Sequence, residues 1–141
     1  MARRRLFGTR LSPKVAKSLK DLESLSRRLE ALVKDDSAAF QELVKAYRTH
    51  RRPAGARRRA TRTLLEICRA AASGLEALRL LWPFTSPYLG ADLKAGRALL
   101  KGAFEGAYVT AMMNFQKREQ DPKARAMRGE LTALRGRIRR L

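Results

Sequence analysis

Apolar residues recur along this chain at spacings of three and four, and no stretch of any length alternates as a strand would. Ser12-Pro13 reads as a helix cap followed by proline in the first turn. Val15, Leu19, Leu22, Leu25, Leu29 and Leu32 then form one stripe about six turns long. Asp35-Asp36-Ser37 predicts a break and a new cap, after which Phe40, Leu43, Val44 and Tyr47 follow the pattern of a second helix over 37–48. Arg51-Arg52-Pro53-Ala54-Gly55 reads as a turn or hinge. A long apolar helix is expected from about 57 to 81, with Ala70, Ala71, Ala72 and Gly74 small enough to admit a neighbour. Two prolines and three aromatic residues between Trp82 and Tyr88 end it. A further helix is predicted over about 88–119, stopped by Asp121-Pro122. Met127, Leu131, Leu134, Ile138 and Leu141 then repeat at four and three, a heptad-like seam. The expectation is an all-α chain: a basic arm (1–11), an N-terminal helical pair (12–52), a basic hinge (53–59), an Ala/Gly-rich apolar helical core (60–120) and a basic amphipathic C-terminal helix (121–141).

Charge sharpens this division. The 141 residues carry 32 Lys and Arg against 13 Asp and Glu, a net of +19, and 45% are apolar, too many for a disordered basic tail. Residues 1–34, 48–69 and 123–141 have net charges of +7, +7 and +6, whereas 70–122 has only +1 and 35–47 is −2. Cationic segments thus flank a nearly neutral apolar piece, a pattern that points to a polyanion. Arg outnumbers Lys 23 to 9, and its planar fork pairs with phosphate oxygens two at a time. A GC-rich coding bias gives the same excess. One Asn, three Gln and one Cys suggest a hot-living source. The positive start lacks an apolar run after it, so it is not read as a secretory signal. The apolar region 64–84 holds too many charges to span a bilayer.

Candidate phosphate contacts are Arg3, Arg4, Arg5 and Arg10 of the arm, Lys14, Lys17 and Arg28 of the first helix, and the cluster Arg51, Arg52, Arg57, Arg58, Arg59 and Arg62 at a turn-to-helix junction. A solvated cationic hinge is the plainer reading of that cluster. Thr61 and Thr63 stand ready to add hydroxyl contacts. Gly102 and Gly106 form a small-xxx-small pair, and each costs its helix about 1 kcal/mol relative to Ala. Something should therefore approach closely there, and helix packing within the chain or between subunits is expected. Trp82 and Phe84, with Tyr88, are assigned to a core plug or a subunit contact in preference to base stacking. Cys68 reads as a small buried hydrophobe. His50 has no second His or Cys nearby. No metal site, cofactor motif or paired-carboxylate motif is visible, so no cofactor and no enzymatic activity are expected.

The overall plan resembles the major capsid proteins of filamentous and rod-shaped archaeal viruses of hot springs. The likeness rests on the basic arm (Arg3, Arg4, Arg5, Arg10), the helices over 13–34 and 37–48, and the Ala/Gly-rich bundle over 64–118; the basic tail departs from it. The resemblance implies a homo- or heterodimer that wraps double-stranded DNA in A-form and polymerises into a helical filament within a virion. Binding would be independent of sequence and strongly salt-dependent. The alternatives are a ribosomal or other ribonucleoprotein component, with RNA as partner, and a chromatin- or nucleoid-type DNA-binding protein. A membrane surface is the last-ranked partner.

Overall fold

A computed structural model describes residues 12–49, 53–115 and 120–140. Arg3, Arg4, Arg5, Arg10, His50, Arg51, Arg52 and Leu141 lie outside the described residues. All regular structure among the described residues is helical, as the apolar spacing predicts. The described residues form four α-helices, α1 (Pro13–Arg48), α2 (Ala54–Leu81), α3 (Gly90–Met113) and α4 (Pro122–Ile138). Two short 3-10 turns, Trp82–Phe84 and Pro87–Leu89, join α2 to α3.

The helix starts are set by local chemistry. Ser12 Oγ accepts from the Val15 N–H at 3.3 Å, with Pro13 in the first turn. Asp121 does the same for α4, accepting from the Lys123 N–H at 2.9 Å ahead of Pro122. Each such cap satisfies an amide that the helix itself leaves unpaired, a contribution of about 1 kcal/mol.

Helix α2 is the central element, with α1, α3 and α4 all packed on it. The core joins Leu64, Leu65, Cys68, Ala71, Ala72 and Leu75 of α2 to Phe104, Ala107, Tyr108 and Ala111 of α3 and to Leu131 and Ile138 of α4. Phe104 and Tyr108 stack with centroids 6.1 Å apart, and the Arg135 guanidinium lies 4.5 Å over the Tyr108 ring, a cation–π contact. The small residues of α2 serve as the spacing predicts. A side chain begun at Gly74 would meet the Leu25 and Leu100 methyls, so α1 and α3 reach across α2 at this point.

Two sequence expectations are corrected, and two that had a subunit-contact alternative are narrowed to it. The predicted break at Asp35-Asp36-Ser37 is absent and α1 runs on for 36 residues. Ser37 Oγ donates to the Val33 carbonyl one turn back, so the hydroxyl is used inside the helix and does not cap a new one. Ala54–Arg59 are not a hinge, because they form the first turns of α2. Trp82, Phe84 and Tyr88 do not plug the core; all three are exposed, Tyr88 at 92%. Within the chain nothing approaches Gly102 or Gly106, where an added Cβ would meet open space. The C-terminal helix, in turn, is part of the same core, since Leu131 and Ile138 are buried in it.

Candidate functional site

The basic residues singled out from the sequence divide into two groups. Lys14, Lys17 and Arg62 are exposed. Arg28, Arg58 and Arg59 are held by acids from other helices. Arg59 Nη1 donates to Glu42 of α1 at 2.6 Å, and Arg58 Nη1 to Asp121 at 2.8 Å. Arg28 pairs with Glu66, which also takes Arg69, and Arg69 reaches Glu130 of α4 through two bonds of 2.6 and 2.7 Å. Arg57 is half-buried, and the Thr61 and Thr63 hydroxyls donate to the Arg57 and Arg59 carbonyls at 2.8 and 3.3 Å. Within the cluster at the start of α2, Arg58 and Arg59 therefore fasten α2 to the start of α4 and to α1, while Arg62 is exposed.

The polar opening that gathers chemistry lies elsewhere, between α1 and α2. It has a volume of about 410 Å³ and is lined by Ser18, Asp21, Ser24, Leu25 and Arg28 from α1 and by Ser73, Glu76, Ala77 and Leu80 from α2. The α1 residues at 18, 21, 25 and 28 follow one helical row, as do 73, 76, 77 and 80 on α2. The cleft exists because Ser73 and Ala77 are small where α1 passes. Ser18 is buried, and its Oγ donates to the Lys14 carbonyl at 3.1 Å, leaving the oxygen lone pairs toward other donors. Arg137 Nε of α4 donates to Glu76 Oε1 at 2.5 Å, so the third helix fixes the carboxylate at the cleft. Two carboxylates, one guanidinium and three hydroxyls thus share one opening.

Sequence reasoning missed this site because Asp21 and Glu76 stand far apart in the chain and make no local motif. The polar row Ser18, Asp21, Ser24 on an otherwise leucine-striped helix is the one signal that pointed there. Among the described residues no group of three or more His, Cys, Asp or Glu is placed to hold a metal ion. None of the described helices is long and apolar enough to cross a membrane. Cys68 is a buried hydrophobe, as read from its apolar run; burial, with a smaller effect of Glu105, pushes its thiol up to about 12.

Fold and cleft together define a small all-helical domain with a carboxylate-bearing site between two helices. A family model described as formiminotransferase-cyclodeaminase matches residues 3–133, nearly the whole chain. The chain belongs to this formiminotransferase-cyclodeaminase family. No curated protein and no solved structure matches it. Membership overturns the likeness to archaeal viral capsid proteins and the DNA-wrapping, filament-forming role drawn from it. The ribonucleoprotein and chromatin alternatives fall with it, because they rested on the same charge pattern. It also runs against the expectation of a protein without enzymatic activity, since the family takes its name from an enzyme. The capsid likeness was carried by a plan (basic arm, helices, Ala/Gly-rich bundle) that any cationic helical protein shares.

Proposed function

We propose that this chain is a metabolic enzyme domain acting on a formimino-bearing substrate in the α1/α2 cleft, with ring closure and loss of ammonia as its reaction. The observation that carries the reading is the convergence of Asp21 and Glu76 from two helices on one polar opening, in a chain of that family. A formimino group, N–CH=NH, is an amidine and is cationic when protonated. Its planar N–H donors suit a carboxylate, as a guanidinium does.

Cyclodeamination needs a neighbouring amine on the substrate to attack the amidinium carbon, forming a C–N bond. A proton then passes from the attacking nitrogen to the terminal one, the second C–N bond breaks, and ammonia departs with that electron pair. A carboxylate held beside both nitrogens takes up and returns this proton, and its negative charge stabilises the cationic carbon centre. Glu76, fixed by Arg137, is suited to hold the amidinium, and Asp21 on the opposite wall to move the proton. The net charge of +19 favours a substrate that is anionic elsewhere.

The test is ammonia release from a minimal substrate, the mono-formimino derivative of 1,2-diaminoethane, which closes to 2-imidazoline and ammonia. Wild-type protein is expected to accelerate release, and Glu76→Gln and Asp21→Asn each to lower kcat/KM by about 100-fold or more. No acceleration with this compound or with an anionic analogue of it, or full activity in both variants, would overturn the reading.

A further inference from the structure

The side of α2 turned away from the α1/α2 cleft bears a second opening. Leu75, Leu78, Arg79 and Trp82 follow spacings of three and four along α2 and into the turn beyond it, and Leu93 and Arg97 stand one turn apart on α3. With Pro83 these residues wall a pocket of about 260 Å³. The cleft residues Ser73, Glu76, Ala77 and Leu80 are each two positions out of step with the α2 row of this pocket. At about 100° per residue, that offset puts the two openings on opposite sides of the helix.

The shape of the pocket follows from how the chain passes from α2 to α3. A Cβ added at Gly96 would lie 3.7 Å from Leu78 Cδ1, so the α3 backbone runs close over Leu78 at this level. At the other side the chain leaves α2 through the turn Trp82–Phe84, in which Pro83 fixes its own φ. The Thr85 hydroxyl donates to the Leu81 carbonyl at 2.9 Å, and the Thr85 amide to the Trp82 carbonyl at 3.3 Å, so the backbone that carries Trp82 is tied down. Of the three aromatic residues in this connection, Trp82 alone lines the pocket. A wall built in advance spares a ligand the cost of ordering it.

We infer that this pocket binds a small carboxylic acid with an apolar body, taken up as its carboxylate. Leu75, Leu78, Leu93, Pro83 and the Trp82 indole offer apolar contact, and the charged side chains that line it are two arginines, with no acid among them. Arg79 differs from the arginines that join the helices, since it makes no ion pair with any described residue. Its exposed guanidinium is open to a carboxylate, whose two oxygens match the planar fork. An apolar hollow with a cationic edge disfavours an ammonium ligand and suits an anion whose remainder sheds water. The volume lies below the roughly 300–1,000 Å³ of sites for drug-sized ligands, so the acid is small, on the order of ten non-hydrogen atoms.

The inference stands apart from the chemistry of the α1/α2 cleft, and its test needs no turnover. Trp82 is the chain's single tryptophan, so one indole N–H resonance reports on the pocket. The full chain, isotope-labelled and in about 0.15 M salt to screen the net charge, is titrated with octanoate and with hydrocinnamate. Saturable movement of that resonance is expected, with Kd between about 10 µM and about 1 mM. Tighter binding of the first marks an aliphatic acid as the ligand, and of the second an aromatic one. Acetate, which lacks the apolar body, and octylammonium, of opposite charge, are expected to bind about tenfold more weakly or worse. Arg79→Glu, at an exposed position, should weaken both acids about tenfold or more with helical circular dichroism unchanged. No saturable movement with either acid below about 10 mM overturns the inference. So does octylammonium or acetate binding as tightly as the acids, or acid binding that survives Arg79→Glu unweakened.

Discussion

Among the described residues, Gly74 is the one helical glycine at which the structure demands the absence of a side chain, and Gly102 supplies its control. A Cβ built at Gly74 would lie 2.7 Å from Leu25 Cδ2 and 2.9 Å from Leu100 Cδ1, with Leu100 Cδ2 at 3.3 Å. The first two contacts are closer than van der Waals distance, and they come from opposite helices, so methyl groups on both sides must shift to admit a side chain. Replacing an interior helical glycine by alanine contributes about 1 kcal/mol through backbone entropy alone. Overpacking a filled site costs about 1–3 kcal/mol. With two methyl groups to displace, a cost near 2 kcal/mol outweighs the gain, and Gly74→Ala should destabilise by about 1 kcal/mol. At Gly102 the same substitution meets nothing and should stabilise the monomer by about 1 kcal/mol. The difference of about 2 kcal/mol isolates the packing cost, because the propensity gain is common to both, and for a chain of this length it corresponds to about 7 °C in Tm. Urea denaturation and thermal melts at low protein concentration measure it. Equal effects at the two positions would refute the claim that α1 and α3 meet over Gly74.

Two pH predictions follow from burial and pairing. The Cys68 thiol is pushed from 9.0 up to about 12, so the protonated form is favoured by folding. Its contribution is complete below about pH 9 and lost as pH rises toward 12, and stability between pH 8 and 11 should fall more steeply in wild type than in Cys68→Ala. An aromatic disulfide reagent at pH 8 should label Cys68 only on denaturation; prompt labelling of the folded chain would contradict its burial. At the acid end, the Lys123 amide, with Arg58, holds Asp121 below its ordinary 3.8, and hydrogen bonding from Arg69 holds Glu130 below 4.5. Their contribution is present above those values and lost as pH falls through the lowered ones. The stability lost between pH 5 and 2.5 should be smaller in Asp121→Asn/Glu130→Gln than in wild type, and equal loss would mean that these carboxylates do not hold α4.

What the sequence made legible was what short-range physics decides. Ser12-Pro13 and Asp121-Pro122 announce helix starts because a side-chain oxygen and a fixed φ act within three residues, and both caps are present. The same local logic failed at Asp35-Asp36-Ser37. There the capping residue types occur, but Ala38, Ala39 and the apolar spacing on either side favour continuation, and Ser37 bonds within the helix. The expected packing of Gly102 and Gly106 failed within the chain for a related reason. Spacing shows that a stripe is small but not which helix passes it, and the neighbours come to Gly74 instead.

Charge misled most, because a net count hides what the minority charge does. Six acids, Glu42, Glu66, Glu76, Glu105, Asp121 and Glu130, each pair with an arginine of the bundle, and nearly all of these pairs join different helices. Each exposed pair contributes little, about 0.2–1 kcal/mol, but the chain Arg28–Glu66–Arg69–Glu130 ties α1, α2 and α4 together and its members order one another. The arginine excess therefore includes a structural share, set by the positions of the few acids, which neither phosphate binding nor coding bias describes. Glu76 belongs to both accounts. Its bond to Arg137 fastens α4 to α2, and the same residue lines the cleft across from Asp21. Removing Arg137 should then act at the cleft without touching it, by freeing Glu76 from its fixed orientation. An acid that looks like one more surface charge in the sequence becomes, through its partner on another helix, the positioned carboxylate on which the proposed chemistry turns.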